Sequence, residues 1–351
     1  MQLIRYKKFR SLVSPNFLPL RLQTLTVHLH FMLSRRFLRI KVMQAIYAFQ
    51  QEGPESISAG EKQLIISLDK LYELYIYQIS LIIEISDFAR KRIEENRLKQ
   101  LPTPEDLNPN LRFIQNKFIN QLENNRDYLK RNAGYKINWV DEEEMIRKFY
   151  NLMREDEAYI SYMSKPVTSY SDEKQVVEMV ILRLFSESDH LRSYFDERNI
   201  YWTEDFDTAV MMVDKTIKGF KESADEYTSL PTLLKDENNS DGSEDMEFVK
   251  HLYRKTLINS NDLNKVISER ASNWDLERIA VMDTILIKMA ITELIEFPSI
   301  PIKVTLNEYI ELSKEYSSPK SKIFINGVLD KLIVDYKEQG IIKKSGRGLM
   351  E

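Results

Sequence analysis

Apolar residues recur every three or four positions along most of the chain, and runs that alternate apolar with polar are rare. That periodicity predicts helices throughout and an all-α fold. The longest runs from Leu64 to Lys99, where Leu64, Leu68, Leu71, Leu74, Tyr75, Ile79, Ile82 and Phe88 form a face wide enough for two neighbours. Pro102, Pro104 and Pro109 end it. Shorter helices are predicted over about 110–131, 141–163, 172–188, 189–199 and 203–228, broken at Ala133-Gly134 and between Ser164 and Ser171. Asp236 to Asp245 reads as a flexible acidic loop, followed by helices at about 246–259 and 261–271.

The last 65 or so positions carry the densest pattern. Asp275 is a predicted cap, with Trp274 and Ile279 spaced as a hydrophobic staple, and an apolar stripe through Ala280, Leu286, Ile287, Ala290 and Leu294 runs to about Glu296. Asp283 lies inside that stripe. Pro298 and Pro301 bracket a short connection; the next helix is predicted to turn Val304, Leu306, Ile310 and Tyr316 inward and Glu308, Glu311, Lys314 and Glu315 outward. In the final helix, about 320–337, Phe324, Val328, Leu332 and Ile333 share a face. Gly327 within it costs roughly 1 kcal/mol relative to alanine, which predicts a close helix crossing there.

Charge changes the picture at the other end. Residues 1–51 hold nine Lys or Arg and no Asp or Glu, so the net charge of −4 leaves −13 on the remaining 300. A basic start on an acidic body predicts that this end meets an anion. Its helix, about Ser34 to Gln51, has Arg35, Arg36, Arg39 and Lys41 in the first two turns and is apolar on nearly every side thereafter. The body is therefore expected to plug a core while the start projects into solvent, where guanidinium forks suit phosphates. Residues 1–31 lack strong periodicity and are read as a disordered extension, with an RNA-contacting arm or a targeting segment as the alternatives.

Composition excludes more than it suggests. With no cysteine there is no disulfide framework, thiolate metal site or cysteine nucleophile, which is compatible with a reducing cytoplasm. His28, His30, His190 and His251 lack metal-ligand spacing, no glycine loop cradles a phosphate, and no nucleophile elbow is present, so neither enzyme nor cofactor nor metal is expected. No apolar run approaches the roughly 20 residues that cross a bilayer.

Several stretches carry a resemblance. Trp274-Asp275-Leu276-Glu277-Arg278-Ile279-Ala280, Asp283 to Glu293-Leu294, Ile300-Pro301-Ile302-Lys303-Val304 with Asn307-Glu308, and Phe324-Ile325-Asn326-Gly327-Val328-Leu329 are similar, in order and spacing, to the C-terminal half of the NusB transcription antitermination factors. Ser34-Arg35-Arg36, Arg39 and Val42 to Gln50 resemble that family's arginine-bearing first helix. Family members are usually less than half this long. The resemblance thus implies a NusB-like helical bundle with a large helical insertion after the first helix. The expected division is 32–52 for the first helix, 53–235 for the insertion, 246–338 for the C-terminal part and 339–351 for a flexible basic tail. Some helices of the insertion are candidates to complete the N-terminal half of the core.

The function implied is binding of boxA-like single-stranded RNA of ribosomal RNA transcripts, together with the ribosomal protein NusE, in an RNA polymerase antitermination complex in the cytoplasm. Carried over as RNA contacts are Arg35, Arg36 and Arg39, with Lys41, Gln44, Lys320, Ser321 and Lys322 added from position. Tyr47 and Asp283 match partner-binding positions; Tyr47 reads equally as core, and Asp283 is expected to face a groove that NusE fills. Departures exist: Phe37, Thr284 and Lys288 stand where arginines are frequent, and Thr292 where tyrosine is. The alternatives are a helical protein-interaction adaptor and an RNA-binding appendage of ribosomal RNA maturation without antitermination activity.

Overall fold

A computed structural model describes residues 33–53, 56–234, 243–270 and 280–349, and these contain helices and no β-strand. In chain order the helices are α1 (Arg35–Glu52), α2 (Ile57–Arg97), α3 (Pro104–Leu107), α4 (Lys117–Glu123), α5 (Arg126–Tyr135), α6 (Glu143–Glu155), α7 (Glu157–Ser164), α8 (Tyr170–Val176), α9 (Arg183–Glu187), α10 (Asp189–Arg198), α11 (Phe206–Gly219), α12 (Glu244–Ile258), α13 (Ser260–Arg270), α14 (Val281–Glu296), α15 (Ile302–Tyr316) and α16 (Ser321–Glu338). They fall into two compact units. One takes the described residues of Leu33–Leu68 and Leu234–Glu351, the other Asp69–Leu233.

In the Asp69–Leu233 unit, side chains that compete with the helical ladder cut the long predicted segments shorter. The span 110–131 holds α4 and part of α5, because Asn116 and Asn125 each turn a side-chain oxygen onto a backbone N–H three residues on, Ile119 at 3.0 Å and Tyr128 at 2.9 Å. Asp156 divides 141–163 in the same way by capping α7 through Ala158. Ser169 and Asp172 form a capping box that starts α8 at Tyr170, and a π-helical turn over Val177–Leu182 joins α8 to α9. Rings fill the core: Tyr77 meets Trp139, Phe195 and Trp202 edge-on at 5.4 to 5.8 Å, and Phe195 lies 6.0 Å from Phe206.

The other unit is arranged about α14. This helix is buried on nearly every side because α1, α12, α13, α15 and α16 all pack on it, as its apolar composition requires. It runs from Val281 to Glu296; the expected Asp275 cap and the Trp274 to Ile279 staple lie outside the described residues. Within the expected acidic loop, Ser243 caps α12 and Glu244 and Asp245 already belong to that helix. α1 begins at its Ser34 cap and ends on Gly53, whose φ of +57° closes the helix with an N–H to Phe49 O at 3.0 Å.

Three local expectations are corrected. On α15 the buried face is Thr305, Tyr309, Leu312, Ser313 and Tyr316, while Val304 is exposed and Leu306 and Ile310 only half-buried. The helix turns that way because the hydroxyls of Thr305 and Tyr309 bond to a buried carboxylate on α14. A side chain at Gly327 would meet no atom within 4 Å, so no close crossing exists there, and nothing in the packing requires glycine. Close approaches occur instead at Gly60, where a Cβ would come within 2.1 Å of the Tyr253 hydroxyl, and at Gly348, where it would come within 1.9 Å of Pro298 O. The tail also departs from a free end, since Ser345 N–H and the Lys344 ammonium bond to Pro298 O and Phe297 O, each at 3.0 Å.

Candidate nucleic-acid interface

The three arginines at the start of α1 point to three different helices. Arg39, 2% exposed, sets its guanidinium fork on Glu293 of α14 with both bonds at 2.7 Å. The same carboxylate accepts the Thr305 hydroxyl at 2.9 Å and the Tyr309 hydroxyl at 3.1 Å, so each of its oxygens has two donors. Burial acts to lower the Arg39 pKa, but the charge and hydrogen bonds of Glu293 outweigh it and hold the guanidinium above its ordinary value. Burial, reinforced by Glu293, pushes the Tyr309 phenol well up. Arg39 thus does not project into solvent. It ties α1 to α14 and α15 through a fully satisfied charged core.

Arg36, one turn back and partly exposed, makes a second bidentate pair with Glu308 of α15, both bonds at 2.9 Å. Its pKa is raised, mainly by that hydrogen bond, with the charges of Glu315 and Glu311 adding to it. Arg35 reaches Asp245 at 3.2 Å and Glu244 at 2.5 Å on α12, and its guanidinium lies 5.2 Å from the Phe248 ring centre. Every arginine of the cationic start is therefore paired with a carboxylate of another helix.

The remaining expected site residues divide by exposure. Lys320 and Lys322, flanking the start of α16, are exposed. Lys41 and Gln44 are buried on α1, the Lys41 ammonium 5.5 Å from the Phe37 ring centre, and Tyr47 is buried too. Ser321 is buried and donates to Asp283 at 2.8 Å. Asp283, 5% exposed, also accepts from Ser317 at 2.5 Å, so the expectation of a carboxylate facing a groove is overturned: two serine hydroxyls satisfy it inside the fold. Burial raises its pKa, and the two hydroxyls offset part of that. Lys288 is buried with its ammonium donating to Ser260 at 2.8 Å, and burial lowers its pKa.

Sequence reasoning missed Glu293 and Glu308 as the acceptors that organise this region. The available signal is an acid in the apolar stripe of α14 facing an arginine-bearing helix; it points to Asp283 as readily as to Glu293 and does not choose between them. Among the described residues no cluster of metal-ligating side chains forms, and no helix is long and apolar enough to cross a membrane.

Comparison with known proteins adds to this geometry. A family profile described as the NusB family matches residues 208–334. The chain is 43% identical over 104 residues to the transcription antitermination protein NusB of Salinibacter ruber, covering 30% of this chain and 65% of that one. It is 38% identical over 105 residues to the protein of that name from Chloroherpeton thalassium, covering 30% and 50%. The same-named protein of Dictyoglomus turgidum is 36% identical over 104 residues, covering 30% and 70%. The chain thus spans less than two thirds of the first two relatives. No solved structure matches it.

Proposed function

The chain belongs to the NusB family, and on that premise we propose that it is an RNA-binding transcription antitermination factor that takes boxA-like single-stranded RNA of ribosomal RNA transcripts jointly with NusE and acts on RNA polymerase. The observation that carries this reading is the 43% identity to a protein named for antitermination, beside the packing of α14 against the arginine-bearing α1. As RNA contacts we take the solvent-reaching cations Arg35, Arg36, Lys320 and Lys322. Arg39, Lys41, Gln44 and Ser321 shape that surface from beneath, and Tyr47 and Asp283 support the NusE side from within the fold.

An electrophoretic shift with a boxA-like RNA, with and without NusE, tests the reading. Arg35→Ala with Arg36→Ala should weaken binding at least about tenfold and reduce its salt dependence, since each phosphate neutralised on a single strand adds about 0.7 to the log–log slope. Unaltered affinity and slope would remove the arginines from the interface. A complex with a protein partner that ignores salt and needs no RNA would favour the adaptor.

A further inference from the structure

We propose that Glu308 and Glu244 act as intramolecular phosphate mimics, occupying Arg36 and Arg35 in the free protein so that RNA must displace them to bind. This rests on the RNA-binding reading above and adds a determinant of affinity within that site. Glu308 accepts two parallel bonds from the Arg36 fork, the pairing that a phosphate also makes, both distances 2.9 Å. Glu308, Glu311 and Glu315 recur at helical spacing on α15, and all three charges act on Arg36. Glu315 is half-buried with its pKa raised by burial, and Glu311 is drawn off toward Lys314, which leaves Glu308 as the direct acceptor. At Arg35 the roles divide. Asp245 is buried and its bond anchors the side chain, whereas Glu244 is exposed and bonds the outer nitrogen, the position a ligand would take.

The arrangement has an energetic reason. The Arg35 and Arg36 side chains remain 32% and 41% exposed, and ion pairs that reach solvent contribute little to stability. They can be exchanged for a polyanion at small cost. Arg39, whose pair with Glu293 is buried, cannot be exchanged in this way. The three arginines thus form a graded series: Arg39 fixed, Arg36 and Arg35 on loan to carboxylates.

The test is fluorescence anisotropy of the full chain with a labelled boxA-like RNA at fixed salt, comparing wild type with Glu308→Gln and, separately, Glu244→Gln, each checked for folding by circular dichroism. Each variant is expected to bind about threefold to tenfold more tightly, and Arg36→Ala in the Glu308→Gln background to abolish the gain. Glu244→Gln keeps the test decisive should Glu308→Gln disturb the neighbouring Arg39. Wild-type binding that neither glutamine variant strengthens would overturn the displacement mechanism while leaving the RNA-binding reading intact; weaker binding by both variants would do the same by making the two carboxylates residues that position the arginines. Absence of binding by wild type and both variants at every salt concentration would instead overturn the RNA-binding reading and this proposal with it.

Discussion

In the unit built on α14, a guanidinium and a carboxylate are buried together; in the Asp69–Leu233 unit, the buried carboxylate of Glu173 is held by uncharged donors. Glu173 accepts the Tyr162 hydroxyl at 2.8 Å, the Thr168 hydroxyl at 2.6 Å and the Lys117 backbone N–H at 3.3 Å, while rings complete the core. Burying an ion pair costs several kcal/mol of desolvation per charge, which Coulomb attraction recovers only with ideal geometry. Rings carry no such cost and gain about 0.5 to 1.5 kcal/mol per favourable pair beyond the area they bury. The charged core is therefore the weaker stabiliser and the stronger constraint. Its donors fix the rotation of α1 and α15 about α14, and so decide which arginines remain near solvent.

The largest effect that would break this comparison is expected at Glu293. Replacing it by alanine leaves buried Arg39 with only Glu308, 3.6 Å away, and should cost about 3 kcal/mol, read as lost hydrogen-exchange protection in α14. Arg39→Met combined with Glu293→Leu should recover most of that loss, because an apolar pair of similar volume needs no desolvation; a double variant as unstable as the single one would mean that the pair contributes net stability. Next comes Phe195→Ala, which removes the hub of the ring cluster and should cost about 3 kcal/mol, with the protection lost in α10 and α11. Equal loss of protection in α14 would show that the two cores do not respond separately.

A smaller effect is expected at Gly327. With open space where a methyl group would sit, alanine there should stabilise by up to about 1 kcal/mol through helix propensity, and a lower melting temperature would restore the close-crossing reading.

The smallest is at Asp283. Its folded pKa is raised, so the ionised form is disfavoured in the native state; that penalty is absent below the ordinary value of 3.8 and complete once pH has risen through the folded value. Asp283→Asn, which still offers hydrogen bonds to both serines, should melt at or above wild type at pH 7. The difference should close as pH falls toward 3.8 in a thermal-denaturation series, and a gap that widens on acidification would reverse the sign of the argument.

How much of this was legible depended on whether the signal was local. Helix class, the start of α1 near Ser34 and the apolar stripe of α14 follow from spacing and from side chains within a few positions of one another. Helix ends at Asn125 and Asp156 were written locally as well, since both residues cap through their own side chains, but an apolar period that continues past them hides the break. The candidate site was legible as a cluster of arginines and illegible as a geometry.

Sequence by itself determined that Arg35, Arg36 and Arg39 lie on one short helix start and that α14 carries an apolar stripe. Only the tertiary structure decided that Arg39 is spent on Glu293 and Arg36 held by Glu308, because those partners lie 254 and 272 positions away. The same holds for α15, whose apolar residues favour one face while the hydroxyls of Thr305 and Tyr309 are drawn to the carboxylate on another. A buried charge outweighs a modest apolar preference, since an unsatisfied carboxylate costs more than a half-exposed valine.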